Sequence, residues 1–120
     1  MTIASRIKKD IPGQIRMFRK LTAGKPYWFR SWKKDKSGLE CLYYRFAGSS
    51  GTSQTKRVPA QEIEAAIKFF KQHFKFDRAQ FKKLCPTALR SGPCGFAVIG
   101  RYLEFRYQAQ YKGRGKGFRV

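Results

Sequence analysis

Hydrophobic residues recur at helical spacing in the second half of the chain. Ile63, Ile67, Phe70 and Phe74 follow one another every three or four positions within residues 59–75. This spacing places their side chains on one side of an α-helix. The segment is therefore predicted to be an amphipathic helix packed on a core.

Two further helices are predicted downstream of this one. Asp77 can cap a helix over residues 78–85, and Gln80 can return a hydrogen bond to the cap residue. Pro86 is predicted to end that helix, because proline lacks an N–H and disfavours helical backbone before it. Hydrophobic positions resume after the proline and predict a third helix from about residue 91 to about residue 106.

The last residues predict a β-hairpin. Short strands at about 108–112 and 117–120 flank the sequence GRGKG, whose glycines supply turn conformations. Phe118 and Val120 are expected to pin the returning strand to the core. A frayed basic tail is the alternative.

The first half of the chain predicts one helix and three strands. Residues 12–23 fit a short amphipathic helix that starts at a proline. Two aromatic-rich runs at 27–33 and 39–46 flank a turn rich in Lys, Asp, Ser and Gly, and a third strand is expected at 54–58. These three strands predict an antiparallel meander.

The aromatic residues of the meander have two interpretations. Strict alternation in the first run would put Tyr27, Phe29 and Ser31 on one face, with Trp28, Arg30 and Trp32 on the other. Both faces then carry aromatic rings. Trp28, Trp32, Tyr43 and Tyr44 either form part of the core, which we favour, or provide a platform on which bases stack.

The charge of the chain indicates its partner. The 120 residues carry 27 Lys and Arg against 7 Asp and Glu, a formal net charge of +20. Such a chain repels itself unless it meets a polyanion, and nucleic acid is the first candidate. Aromatic residues make up 16% of the chain, enough for a folded core. A folded nucleic-acid-binding protein is therefore expected.

The order of predicted elements in residues 59–120 resembles that of the winged helix-turn-helix superfamily. The chain is therefore expected to be an α+β protein. Residues 1–58 would form the N-terminal helix and aromatic meander, and residues 59–120 a three-helix winged-helix-like unit ending in a basic hairpin. The two parts are expected to share one compact core. The resemblance implies a third helix in the DNA major groove and a hairpin wing along the backbone. Val98 and Phe105 argue against base readout, because they are expected to face outward beside Arg101.

The N-terminal meander followed by a helix is similar to the small arm-binding domains of tyrosine recombinases. That resemblance implies a sheet that grips DNA. The expected nucleic-acid contacts are cations of the meander, the third helix and the terminal hairpin. They are Arg30, Lys33, Lys34, Lys36, Lys56, Arg57, Arg90, Arg101, Lys112, Arg114, Lys116 and Arg119.

The carboxylates and the single histidine do not predict a catalytic site. Glu62 and Glu64 suit the first turns of a helix, and Glu40 stands alone on a strand. His73 falls beside Lys and Gln, away from the hydrophobic stripe, and is expected at the surface. Clustered carboxylates are what a metal-dependent nuclease requires. We therefore expect no catalytic residue, no metal and no cofactor.

The cysteines and the absence of long apolar stretches indicate the compartment. Cys41, Cys85 and Cys94 are odd in number and irregular in spacing, so free thiols in a reducing compartment are expected. We expect no membrane association and a cytoplasmic location, associated with the nucleoid or, in a eukaryote, nuclear. A homodimer through the third helix or the aromatic hairpin is an alternative use of those surfaces.

The function expected from the sequence is non-enzymatic binding of nucleic acid. Duplex DNA is favoured over RNA, with the phosphates gripped by the basic wing and hairpin, as in a small regulator or a mobile-element accessory factor. An RNA-binding or ribosome-associated protein is the main alternative. A small nuclease or toxin, and an inhibitor of a nucleic-acid-processing protein, are further alternatives.

Overall fold

The structure is a computed structural model that describes residues 2–11, 17–18, 27–47 and 53–120. It is an α+β arrangement, as expected. Its elements in chain order are α1 (Ile3–Asp10), β1 (Met17–Phe18), β2 (Tyr27–Lys34), β3 (Glu40–Ala47), β4 (Ser53–Pro59), α2 (Ala60–His73), β5 (Lys75–Phe76), α3 (Arg78–Leu84), α4 (Pro86–Ser91), α5 (Gly95–Tyr107), β6 (Gln110–Tyr111) and β7 (Phe118–Arg119).

The N-terminal helix lies earlier in the chain than the sequence suggested. Thr2 caps α1 by accepting a hydrogen bond from the Ser5 backbone N–H at 3.0 Å. The helix ends at Asp10, and the next residue, Ile11, has extended backbone angles because a proline follows it. Most of the predicted helix over 12–23 lies outside the described residues. Where that segment is described, at Met17–Phe18, it is a strand, so the prediction is wrong there.

Four antiparallel strands form one sheet in the order β1-β2-β3-β4. The predicted three-stranded meander is confirmed, and β1 adds a short strand beside β2. The register of β2 against β3 shifts between Phe29 and Ser31, so Arg30 is the extra residue of a β-bulge. The prediction of strict alternation is wrong at this point: the bulge leaves Trp28 and Trp32 on opposite faces.

The inner face of the sheet forms part of the core. Leu42, Tyr44 and Val58 are fully buried there, within a single cluster that also includes Ile67 of α2 and Phe118 near the C-terminus. The indole N–H of Trp32 donates to the Ile11 carbonyl at 2.7 Å, which ties β2 to the end of α1. One core therefore includes residues from both halves of the chain.

Four helices, rather than the predicted three, fall within residues 59–120. The capping box of α3 is present: Asp77 accepts from two backbone N–H groups, and Gln80 accepts from the Asp77 N–H. As predicted, α3 ends before Pro86, but Pro86 is also the first residue of α4. Proline is tolerated in the first turn of a helix, where its missing N–H would have no intrahelical partner.

A buried carboxylate of α2 caps the extra helix. Glu62 is only 5% exposed. Its two carboxylate oxygens accept hydrogen bonds from the backbone N–H groups of Thr87 and Ala88, at 3.0 and 2.9 Å. The expected place of Glu62 in the first turn of α2 is confirmed, but its main contact is with the first turn of α4.

The C-terminal residues form the predicted hairpin. Strands β6 and β7 pair with each other, and β7 also pairs with β5, giving a second, three-stranded sheet. Phe118 is fully buried against the Phe96 and Tyr111 rings, with centroid separations of 5.4 and 5.2 Å. Val120 is 66% exposed, so the expectation that it anchors the strand is wrong. Phe118 alone of the two residues fixes the hairpin.

An ion pair between the buried Asp10 and the partly exposed Arg106 joins α1 to α5. Asp10 of α1 accepts a 2.6 Å hydrogen bond from the Tyr102 hydroxyl and two from the Arg106 guanidinium, at 2.6 and 3.1 Å. Burial acts to raise the pKa of the Asp10 carboxyl, but the hydrogen bonds from Arg106 and Tyr102 outweigh it. The pKa of Asp10 therefore lies below its ordinary value of 3.8.

Acidification should weaken the fold through this carboxyl. Since the folded-state pKa of Asp10 is lowered, its stabilising contribution is present above about pH 4 and is lost as the pH falls through the folded value. Urea titrations between pH 6 and pH 2.5 measure the loss in free energy of unfolding. Asp10→Asn should be less stable than the wild type at pH 6 and should lose less stability on acidification. Parallel pH curves for the two proteins would contradict the assignment.

Candidate nucleic-acid interface

Several cations of the meander lie together on the face of the large sheet that points away from the core. Residues paired across antiparallel strands share a face, so the pairs Trp28 with Arg45, Ser31 with Tyr43 and Tyr43 with Arg57 define one surface. We call it the outer face. Its members are Trp28, Ser31, Lys33, Tyr43, Arg45, Thr55 and Arg57, with Arg30 added by the bulge.

The bulge creates a depression on the outer face. It has a volume of about 320 Å³ and is lined by Arg30, Ser31, Lys33, Tyr43 and Thr55; we call it the bulge pocket. The Lys33 ammonium lies 4.9 Å from the centroid of the Tyr43 ring. Guanidinium, ammonium and hydroxyl groups all donate hydrogen bonds, which suits a phosphate group and provides little for a cation.

Arg57 is partly neutralised at the far edge of the outer face. Its guanidinium Nε lies 3.4 Å from an Asp35 carboxylate oxygen, and its backbone N–H donates to the Ser91 hydroxyl at 3.0 Å. The pKa of Asp35 is lowered, chiefly by the hydrogen bond from the Ser37 hydroxyl. Arg57 therefore contributes less available charge than the exposed cations Arg30 and Lys33.

The two interpretations of the aromatic residues apply to different members of the set. Tyr44 is fully buried on the inner face, and Trp32 is half-buried and hydrogen-bonded, so the core interpretation is confirmed for both. Trp28 is 40% exposed and Tyr43 is half-buried, both on the outer face. Only Trp28 and Tyr43 of these four are placed where they could contact a base.

The other predicted meander and helix cations do not join the bulge pocket. Lys34 and Lys36 are exposed at the end of β2 and in the turn after it. Lys56 pairs with Tyr44 and therefore lies on the opposite face of the sheet from the outer-face residues. Its side chain passes close to Gly92, just after α4. Arg90, on α4, is exposed and lies 3.4 Å from the Thr87 hydroxyl.

The third predicted helix, α5, is mostly buried. Every residue from Gly95 to Gly100 is buried, including Val98, which was expected to face outward. Phe105 is exposed, as expected. Arg101 forms a 2.6 Å ion pair with Glu104 and is only partly accessible. The buried face of α5 leaves its first half without polar side chains for base edges.

The terminal hairpin displays its cations on a defined backbone. Lys112, Arg114 and Lys116 are exposed, and Arg119 is half-buried. The Lys112 N–H donates to the Gly117 carbonyl at 2.8 Å, and the Arg119 Nε–H donates to the Lys116 carbonyl at 2.9 Å. The hairpin and the bulge pocket are thus two separate groups of predicted contacts.

The predicted thiols and histidine have ordinary structural environments. Cys41, Cys85 and Cys94 are free, and burial raises the pKa of Cys41 to about 11 and that of Cys85 to about 12. His73 is exposed, as expected, with its ring centroid 4.4 Å from that of Phe69. Within the described ranges, His, Cys, Asp and Glu do not gather in any group of three or more that suits a metal ion.

None of the helices in the described part of the chain has the length and apolar character needed to cross a bilayer. Fold and site together define a strongly basic α+β protein with a cationic sheet face and a cationic hairpin. Comparisons with protein-family models, with curated proteins and with solved structures found no match to this chain.

Proposed function

We propose that this protein binds nucleic acid without catalysing a reaction, and that it holds duplex DNA by phosphate contacts from the outer face and the terminal hairpin. The observation that carries the proposal is the bulge pocket. Two exposed cations, two hydroxyl-bearing side chains and a tyrosine line one depression there. A small regulator or a mobile-element accessory factor would use such a grip.

Sheet geometry supports a role for the outer face. The inner face is committed to the core, so the outer face is the side of β2, β3 and β4 available to a partner. The major groove of DNA admits β-strands, and phosphate contacts fix the register of a protein on the duplex. This arrangement agrees with the resemblance to arm-binding domains, which grip DNA with a sheet.

The terminal hairpin supports one part of the winged-helix interpretation, the contact between a wing and the DNA backbone. A wing needs backbone that approaches phosphates and cations held at its edge, and the loop between β6 and β7 offers both. Base readout by α5 is not included, because the first half of that helix is buried. A homodimer through α5 or the aromatic hairpin stays a prediction.

Single-stranded RNA is the second candidate ligand. Trp28 is exposed on the outer face next to the cations, and exposed aromatic rings stack on unpaired bases. If RNA is the ligand, single-stranded RNA should quench the fluorescence of Trp28 and duplex DNA should not. Trp28→Phe leaves the half-buried Trp32 as the reference signal, and the quenching should disappear in that variant.

Salt-dependent binding tests the proposed function. Duplex DNA, single-stranded DNA and RNA are titrated at several salt concentrations by fluorescence anisotropy. Each lost phosphate contact should reduce the slope of log affinity against log salt by about 0.9 on duplex DNA. The double variant Arg30→Ala with Lys33→Ala should therefore reduce the slope by about 2.

The matched control removes the same charge from the opposite side of the protein. Lys68 and Lys71 are exposed on α2, which contacts β3 and β4 from the core side of the sheet. Lys68→Ala with Lys71→Ala should leave the slope unchanged. A flat salt response in the wild type, or equal effects of the two double variants, would contradict binding through the outer face.

A further inference from the structure

A second depression lies between the start of α3 and the loop of the terminal hairpin. Its volume is about 420 Å³, within the range of small-molecule sites, and its walls include Arg78, Phe96, Tyr111, Arg114 and the loop glycines. We call it the hairpin groove. Arg78 was not among the cations that the sequence singled out.

The guanidinium of Arg78 lies over an aromatic ring of the core in this groove. Its guanidinium carbon lies 4.6 Å from the centroid of the Phe96 ring. Phe96 is 1% exposed and is itself stacked on Phe76, at 5.6 Å between centroids, so the ring that supports the guanidinium is fixed. Arg78 remains exposed. A planar guanidinium supported on one face can stack with a base on the other.

The loop opposite Arg78 brings backbone and charge close together. Gly113 and Gly115 have φ values of +104° and +85°, which favour glycine, and a Cβ at either position would meet no atom within 4 Å. The side of the loop near them is therefore open. Arg114 lies between the two glycines and is exposed. It places a phosphate-binding group across the groove from Arg78.

The charge balance of the groove favours an anion. Asp77 is the acidic residue among the described residues that line it, and one of its carboxylate oxygens already accepts from the Ala79 and Gln80 backbone N–H groups, at 3.0 and 3.3 Å. Asp77 lines the groove beside Arg78 and Arg114, and among these three described residues the contacts of the Asp77 carboxylate are with backbone N–H groups. A ligand with a planar ring and a phosphate would match both groups.

We propose that the hairpin groove binds one unpaired nucleotide of a nucleic-acid strand, with its base stacked on Arg78 and its phosphate held by Arg114. The inference rests on the proposed function, because it takes the nucleotide to be part of the same bound strand. It adds a preference: duplexes with a single-stranded overhang should bind more tightly than blunt duplexes.

The test compares a blunt duplex with the same duplex carrying a three-nucleotide overhang, by fluorescence anisotropy. The wild type should bind the overhang duplex about tenfold more tightly, the size of one stacked base. Arg78→Ala and Arg78→Lys should both lose this preference, because lysine keeps the charge but has no planar surface for stacking. Lys82→Ala removes an exposed cation of the same helix and should keep the preference.

The outcomes separate this inference from the proposed function. Equal affinity of the wild type for both duplexes overturns the proposal that the hairpin groove binds a nucleotide, and it leaves the proposed function unaffected. If the wild type binds neither duplex, the proposed function is overturned. Nucleotide binding by the hairpin groove is then tested separately, by nuclear magnetic resonance with a single-stranded trinucleotide. A shift of the Arg78 Nε–H signal in the wild type, together with shifts of the Gly113 and Gly115 amide signals that are lost in Arg78→Lys, supports it. The absence of these shifts in the wild type overturns it.

Discussion

Replacing Gly100 with alanine should release the terminal hairpin and lower the free energy of unfolding by about 3 kcal/mol. A Cβ at position 100 would lie 1.8 to 2.4 Å from three carbons of the Phe118 ring, so the ring cannot stay where it is. Losing a buried phenylalanine side chain costs about 3–5 kcal/mol, while alanine in place of a helical glycine gains about 1 kcal/mol. Urea denaturation measures the net loss. Amide hydrogen exchange should show reduced protection in β7.

A double-mutant cycle provides the control for this prediction. Phe118→Ala removes the ring that collides with the new methyl group. In that background, Gly100→Ala should cost nothing or should stabilise α5 slightly, since only its helix propensity changes. Additive losses in the double variant would contradict the contact, because they would show that Gly100 is needed for a reason unrelated to Phe118.

The hairpin illustrates how far the sequence predicts this fold. Glycines with turn chemistry and a phenylalanine in the returning segment were enough to predict a folded hairpin over a frayed tail. Gly100 lies on a buried side of α5, but one sequence does not reveal which side chain fills the space above a glycine. Pairing of β7 with β5 also brings together residues more than forty positions apart, and no local pattern encodes that pairing.

The outer face shows a second limit of predicting this fold from its sequence. The three main strands were predicted from their aromatic runs and the turn between them, and all three are present. The faces were not predicted correctly, because alternation holds only until a bulge inserts a residue. Arg30 carries no sequence signal of a bulge. The bulge pocket could therefore be assembled only from the register of β2 against β3.

Helix α4 was missed because proline has two opposite effects on helices. Pro86 was interpreted as a terminator, yet it fits the first turn of a new helix. The cap that stabilises this start comes from Glu62, which lies more than twenty positions earlier. A capping residue on another helix has no fixed spacing to the helix that it caps, so sequence rules for local caps cannot find it.

Replacing Glu62 with alanine should be among the most damaging changes of a charged residue in this protein. The variant would leave the Thr87 and Ala88 N–H groups buried without their acceptors, and each unsatisfied buried donor costs about 1–3 kcal/mol. For two donors we therefore expect the free energy of unfolding to fall by about 2–6 kcal/mol. The amide hydrogens of Thr87 and Ala88 should exchange faster than in the wild type, because α4 loses its cap.

Glu64 on the same helix is the matched control. Glu64 is partly exposed, and its carboxylate forms an ion pair with Lys68 one turn away, at 3.3 Å. Glu64→Ala should therefore lower the free energy of unfolding by only about 0.3–0.5 kcal/mol. Glu62→Gln keeps one carbonyl acceptor and should lie between the two alanine variants. Since the Ser91 hydroxyl of α4 accepts from Arg57, loosening α4 should also speed exchange of the Arg57 amide at the edge of the outer face. Equal losses for Glu62→Ala and Glu64→Ala would show that α4 does not depend on this carboxylate.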